Sequence, residues 1–460
     1  MSELRPTAVL NIVGLTPSLI GEHTPKLKAF RDRNACVRLQ EPFPAVTCTS
    51  QSTMLTGLPP SGHGIVGNGW YFREQAEVGF WKQSNGLVQG EKVYETLKKS
   101  HPGFTCAKLF WWYNMYAAVD FSVTPRPHYP ADGRKVFDVY THPASLHDPM
   151  VADLGSFPFP AFWGPMAGIK SSEWIAACAK WTWEKKHPTL NLVYLPHLDY
   201  CLQKLGPESP EIPSELNRID AVAGDLIEFF EKNGIQVLIV SEYGISKVTR
   251  HLHPNRILRQ AGLLEIRPSL NWEMLDVGAS RAFAVSDHQI CHIYLNDKSC
   301  LNQVVSLFEK APGQRKILFG EARKAHGLDH SRAGDVVLMA EPDNWYTYYF
   351  WEDDAKAPDF ARCVDIHRKP GYDPAELFFD PKRPAKAIAA MALLKKKLGL
   401  RYYMDVIPLD ASLIKGSHGT PSDSSAEAPL MMGRSDLLGK ETALPMTAVR
   451  EVIIRSIIGG

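Results

Sequence analysis

Short β-branched runs alternate along the chain with stretches whose apolar residues recur at helical spacing. Thr7–Val13 predicts a buried strand and Pro25–Arg33 the helix after it. Farther on, Ser171–Lys186 predicts a helix, Leu190–Leu195 a strand buried on both faces, Pro213–Lys232 an amphipathic helix and Ile235–Val240 another short strand. This rhythm predicts an α/β fold, a mainly parallel central sheet flanked by helices on both faces. In such sheets ligand groups gather where the strands end and the loops begin. After Gly244 the pattern loosens, and Phe350–Pro384 is rich in Asp, Pro and aromatics. Regular pattern returns with the helices Ala385–Leu398 and Pro445–Ile458. Residues 1–250 and 400–460 are therefore expected to form one core, and 251–399 an inserted α+β cap.

Totals change this picture little. A chain of 460 residues exceeds what one compact core usually holds, in keeping with a core plus an insertion. Lys+Arg (51) and Asp+Glu (50) nearly cancel, which argues against a nucleic acid polymer or an anionic membrane as the main partner. The apolar run Ala8–Val13 is too short to span a bilayer and lacks the basic flank and cleavage site of a secretory leader. The eight cysteines are scattered with no Cys-x-x-Cys pair, so free thiols are expected rather than disulfides, and a cytoplasmic location with them.

The densest signal is Glu41-Pro-Phe-Pro-Ala-Val-Thr-Cys-Thr-Ser-Gln-Ser-Thr-Met-Leu-Thr-Gly, followed by Leu58-Pro-Pro-Ser-Gly-His-Gly-Ile-Val-Gly-Asn68. Prolines halt an extended segment, and a hydroxyl-rich run then opens a short helix ending at Gly57. The free N–H groups and positive dipole end of such a helix suit a phosphoryl oxygen. The plainer reading is a Thr/Ser-rich N-cap that only starts a helix.

Phe-Pro-x-x-Thr, a helix ending Thr-Gly, then Pro-x-x-His-Gly-Ile and an Asn resembles the nucleophile segment of the type I phosphodiesterase/nucleotide pyrophosphatase family of the alkaline phosphatase superfamily. The resemblance implies that Thr47 is the nucleophile, that Asn68 binds a non-bridging phosphate oxygen, and that His63 is structural. It also implies two divalent metals, usually zinc. Three further segments resemble the family's ligand motifs: Asp199 to Gln203 in Asp-x-x-x-Gln, Ser241-Glu-Tyr-Gly, and Gly416-Ser-His-Gly. By this resemblance Asp199, Glu242, His418 and Thr47 are metal ligands. Gln203 and Tyr243 stand where the family has imidazoles, and Val13 stands where it has an aspartate. Asn11, on the same strand face two residues earlier, is a possible stand-in, as are Gln203 and Tyr243 at their own positions. Amides are weak ligands and lower the affinity for two zinc ions: zinc is expected by the resemblance, with Mn or Mg or a single metal as alternatives, and these residues argue against a full two-zinc site.

Other histidines are candidate replacement donors: His251 and His253 after the Glu242 segment, His326 and His330 in a turn, and His367 in the irregular stretch. On the substrate side, Phe110-Trp-Trp-Tyr-Asn-Met-Tyr and the Phe121–Lys135 segment supply Trp112, Tyr129, Arg134 and Lys135. Aromatic walls with a few basic groups suit a small phosphorylated or phosphonate substrate; a packing layer under the cap is the alternative. The expected activity is metal-dependent phosphoryl-ester hydrolysis through a covalent phospho-threonine. Two alternatives stay open: a phosphonate (C–P) hydrolase on the same core, and a non-catalytic binding protein that has lost its metals.

Overall fold

A computed structural model describes residues 4–131 and 134–459. Residues 1–3, part of the chain start weighed above, lie outside the described residues. Thr7–Ile12 and Leu190–Leu195 are buried along their whole length, as unbroken apolar runs in a two-sided sheet must be. They lie side by side at the middle of a nine-stranded sheet ordered Ala443–Pro445, Ala35–Gln40, Leu430–Gly433, Gln236–Val240, Thr7–Ile12, Leu190–Leu195, Cys106–Leu109, Phe121–Pro125 and Val139–His142. Leu430–Gly433 and Val139–His142 run antiparallel to their neighbours, and the other strands share one direction. The fold is thus the expected mainly parallel α/β sheet with helices.

Ile169–Lys186 and Ile212–Lys232 pack together against the sheet, and Val449–Ile458 packs on it beside Thr47–Thr56 and Val93–Ser100. The predicted helices appear within a few residues of their expected bounds, the last one shortened because Met446–Ala448 forms a 3-10 turn. No helix among the described residues is long and apolar enough to cross a membrane. All eight cysteines are free.

A second hydrophobic cluster surrounds a four-stranded antiparallel sheet ordered Ala282–Asp287, Ile290–Leu295, Val336–Ala340 and Gln314–Phe319. Its side chains come from Val248–Ala385, and also from Phe43–Tyr113 and Val406–Ile414. The two units therefore share a wide wall. The turn between Ala282–Asp287 and Ile290–Leu295 reaches back to the first unit, where the Gln289 N–H donates to the carbonyl of His418 at 2.9 Å.

Beyond Gln236–Val240 the chain leaves the sheet through Ser241-Glu-Tyr-Gly. Gly244 is forced by close packing: a Cβ there would stand 1.9 Å from the carbonyl oxygen of Glu427. Gly244→Ala is expected to displace this exit and lower stability by about 3 kcal/mol, read as a fall in the urea midpoint at unchanged slope.

Candidate active site

Thr47 is the first residue of Thr47–Thr56, a helix buried at every position although five of its ten residues are Thr or Ser before Thr56. Val46 precedes it, and no side-chain hydrogen bond caps its N-terminus. Thr47 Oγ1 lies 2.8 Å from the Tyr243 hydroxyl. Behind it, the Cys48 N–H donates to Asn68 Oδ1 at 3.0 Å. The parallel sheet supplies the facing groups. Asn11 sits near the end of its strand, Glu242 and Tyr243 follow the end of Gln236–Val240, and Asp199 lies in the first turn of the helix His197–Leu205 after Leu190–Leu195.

These groups form one hydrogen-bonded chain. The Tyr243 hydroxyl donates to Asp199 Oδ1 at 3.0 Å, Gln203 Nε2 donates to Asp199 Oδ2 at 2.8 Å, and the Tyr372 hydroxyl donates to Gln203 Oε1 at 3.3 Å. Because Asp199 takes the Tyr243 proton, Tyr243 oxygen is left to accept from Thr47. A column of rings holds the chain in place. Tyr243 stacks on His418 at 3.6 Å and 5°, His418 on His288 at 3.7 Å, and His288 on Tyr372 at 3.9 Å. His418 is pinned at its other edge, its Nδ1 lying 2.9 Å from the Ala45 carbonyl.

Three carboxyl groups are buried here. Glu242 Oε1 accepts from Asn11 Nδ2 at 2.6 Å and from Gln51 Nε2 at 2.7 Å. Burial outweighs those two bonds and pushes its pKa up to about 8. Asp199, 13 % exposed at its side chain, is likewise pushed up to about 7 by burial, against the bonds from Tyr243 and Gln203. Asp287 reaches in from the second unit, accepts from the Asn68 N–H at 2.7 Å and Nδ2 at 3.0 Å, and is also raised to about 7 by burial. Burial drives His418 down to about 3 and His288 well below its usual range, so both rings are neutral at physiological pH. Glu242 Oε2, His418 Nε2 and His288 Nδ1 are buried with no hydrogen-bond partner. Such atoms carry a desolvation cost unless a ligand satisfies them.

These residues do not amount to the family's two-metal site. Among the described residues no three His, Cys, Asp or Glu side chains converge as they would around a metal ion. The reason lies in the donors. The phenol of Tyr243 stands between Thr47 and Asp199, Gln203 spends its amide on Asp199, and Asn11 spends its amide on Glu242. Val13 is apolar and fully buried. Of the expected ligands, His418 Nε2 and Asp199 Oδ1 lie 3.6 Å apart. The other candidate imidazoles are engaged elsewhere: His251 against the His253 ring, His253 with Thr347, His326 with Ala322, His330 with Gln89 and His367 with the Phe80 carbonyl, while His63 bonds Thr53 and Ile65.

Thr47, Asp199, Tyr243 and His288 line a narrow cavity walled by Trp81, Trp112, Trp163 and Tyr372. Trp81 is the centre of this wall, its ring 4.8 Å from Trp112 and 5.0 Å from Trp163. Trp81 and His288 hold left-handed backbone angles, φ 58° and 60°, an outlying conformation for such side chains. The same tryptophans open onto an outer cavity lined by Lys82, Arg126, Tyr129 and His367. Of the expected substrate residues, Trp112 lines both cavities and Tyr129 the outer one. Lys135 sits behind Tyr129, its Nζ 5.7 Å from that ring, and neither it nor Arg134 lines either cavity. Among the described residues no Lys or Arg lines the inner cavity. Sequence reading did not single out Gln51, Asp287, His288 or Tyr372. Asp287 and His288 sit in a polar tetrapeptide between two apolar runs, which reads as an ordinary hairpin turn.

A family model described as type I phosphodiesterase/nucleotide pyrophosphatase matches residues 7–373. An uncharacterised pyrophosphatase/phosphodiesterase of Schizosaccharomyces pombe is 26% identical over 236 residues, which span 48% of this chain and 41% of that relative. Among solved structures, phosphonoacetate hydrolase from Sinorhizobium meliloti, in complex with phosphonoformate, superposes with a TM-score of 0.61 at 14% identity, covering 98% of this chain and 96% of that one. Murine ectonucleotide pyrophosphatase/phosphodiesterase 5 superposes with a TM-score of 0.58 at 13% identity, covering 98% and 94%. An inactive threonine-to-alanine form of that murine protein, in complex with AMP, superposes equally well. These two likenesses concern the fold. With the family model spanning most of its length, the chain belongs to the type I phosphodiesterase/nucleotide pyrophosphatase family.

Proposed function

We propose that this protein hydrolyses phosphoryl esters of the phosphodiester or nucleotide-pyrophosphate type through a covalent intermediate on Thr47. The observation that carries this reading is the hydrogen-bonded line Thr47–Tyr243–Asp199 at 2.8 and 3.0 Å, at the mouth of a buried helix N-terminus. A threonine hydroxyl is a weak nucleophile until a base takes its proton. Here the proton passes to the Tyr243 oxygen as the Tyr243 proton passes to Asp199, and Thr47 Oγ bonds to phosphorus while the ester oxygen departs opposite it. Water then attacks the phospho-threonine and the Thr47 Oγ–phosphorus bond breaks; Thr47 takes back its proton from Asp199 through Tyr243, and the proton that water loses neutralises the departed alkoxide or phenolate. Family members typically depend on metal ions. The donors present here do not build that site, so no step is assigned to one.

Charge sets the substrate preference. With no Lys or Arg among the described residues that line the inner cavity, no fixed cation there offsets the charge of oxygens on phosphorus. Held at about 8 by burial, Glu242 is mostly a neutral carboxyl near pH 7 and adds little negative charge behind Thr47. A singly charged diester costs less to bury against such a wall than a doubly charged monoester. Asp287 braces Asn68 and fixes its amide in one orientation.

Three outcomes are expected. Thr47→Ala reduces turnover of bis(nitrophenyl) phosphate by roughly a thousandfold or more, in a protein of unchanged thermal midpoint; turnover persisting at the wild-type rate sinks the assignment. Wild type hydrolyses that diester faster than nitrophenyl phosphate, and the opposite order contradicts the charge argument. Tyr243→Phe keeps the ring on His418 but deletes the bridging hydroxyl, and lowers kcat by roughly a hundredfold with little change in KM.

Stability follows from the raised carboxyl pKa of Glu242. Its folded value of about 8 lies above the ordinary 4.5, so the folded state binds the proton more tightly. The resulting stabilisation is complete below about pH 4.5 and is lost as pH rises through 8. Asp199 adds a loss of the same sign up to about 7. Glu242→Gln keeps the oxygen that Asn11 and Gln51 bind, and its urea midpoint is expected to fall less steeply than wild type over this window.

A further inference from the structure

Near-zero net charge conceals one strongly segregated surface. The helix Ala385–Lys397 and the segment after it, through Met404, carry Lys386, Lys395, Lys396, Lys397 and Arg401 and no acidic residue. Ala385 and Ala392 bury one side of the helix. The opposite side presents Met391, Leu394 and Leu398, which are 55, 50 and 64 % exposed at the i, i+3, i+7 spacing of a single face. Leu400 and Tyr403 extend the apolar surface beyond the helix end. Lys386, Lys395, Lys397 and Arg401 flank it, and among the described residues none of the four pairs with a carboxylate. Lys396 lies across the ring of Phe137 at 5.8 Å.

That contact joins the helix to the candidate active site. Phe137 stacks on Phe159 at 4.6 Å and 4°, and Phe159 lines the outer cavity with Tyr129. Tyr129 and Phe137 are exposed, and Lys135 covers both rings. One basic, apolar rim therefore runs from the helix to the cavity mouth. Large exposed apolar groups ordinarily mark a contact surface.

We propose that this rim docks the protein on a bilayer surface containing anionic lipid. Leu394, Leu398 and Met391 enter the boundary between headgroups and acyl chains, while the flanking lysines meet lipid phosphates and carboxylates. Charge selects this occupant over a second copy of the chain, because a two-fold contact through the same face would set lysines against lysines. Docking turns the cavity mouth towards phosphoesters displayed at that surface. This last clause rests on the proposed hydrolase function; the docking itself does not.

The test is co-sedimentation of the whole protein with phosphatidylcholine vesicles, with and without phosphatidylserine. Wild type is expected to pellet only with the mixed vesicles and to be released by salt. Leu394→Ser combined with Leu398→Ser, and separately Lys395→Glu combined with Lys397→Glu, each weaken binding by roughly tenfold or more. Both variants keep wild-type turnover of a water-soluble diester. The charge-reversal pair alters only exposed residues, so it remains informative if the serine pair fails to fold. Absence of phosphatidylserine-dependent pelleting overturns the proposal, as does pelleting that neither variant changes. A wild-type dimer in sedimentation velocity that both variants dissolve also overturns it, and assigns the face to a second copy. Failure of diester turnover in wild type overturns the catalytic reading and leaves the vesicle result standing.

Discussion

Tyr243 hydrogen-bonds Thr47 on one side and Asp199 on the other, with its ring flat on His418. A phenol in this place ties the helix that carries Thr47 to two strand ends of the central sheet. It needs rigid support, because a hydroxyl moved by one ångström loses one bond or the other. The support is the stack Tyr243, His418, His288 and Tyr372, drawn from four separate stretches of chain. Two of those rings come from the second unit, which explains why the Asp287–Ile290 turn crosses to the first and bonds the His418 carbonyl.

The same arrangement concentrates buried carboxyl groups without a matching cation. Asp199, Glu242 and Asp287 are all raised by burial, whereas a comparable burial elsewhere is resolved by an ion pair. At the far wall of the inner cavity, Lys369 lies 2.6 Å from both Asp373 and Glu376, so two buried carboxyl groups there share one ammonium. The site around Thr47 is instead left polar, partly unsatisfied and close to neutral. Such a state costs stability and is the kind of expense a fold carries where a ligand completes the hydrogen bonds.

Much of the architecture was legible in the chain. Thr7–Val13, Leu190–Leu195 and Ile235–Val240 lack polar alternation because both sheet faces are covered, and such runs are readable from residue type alone. Thr47, Asn68, Asp199, Glu242, Tyr243 and His418 are brought to one place because each ends or follows a core element in a motif of fixed order. The rest depended on contacts between distant segments. Nothing near residue 287 announces that a hairpin turn will brace Asn68, and nothing near residue 372 announces that a tyrosine will bond Gln203. The basic segment 385–404 was invisible for another reason: a whole-chain sum averages it against acids that lie elsewhere.

Whether Thr47 forms a bond to phosphorus decides the account. Acid quenching during steady turnover of a diester, followed by proteolysis and mass spectrometry, reads this directly. The predicted result is a phosphoryl adduct on the peptide containing Thr47, localised to that residue and chased away when substrate is exhausted. Turnover with an unmodified Thr47 peptide, or an adduct on another residue, would contradict it.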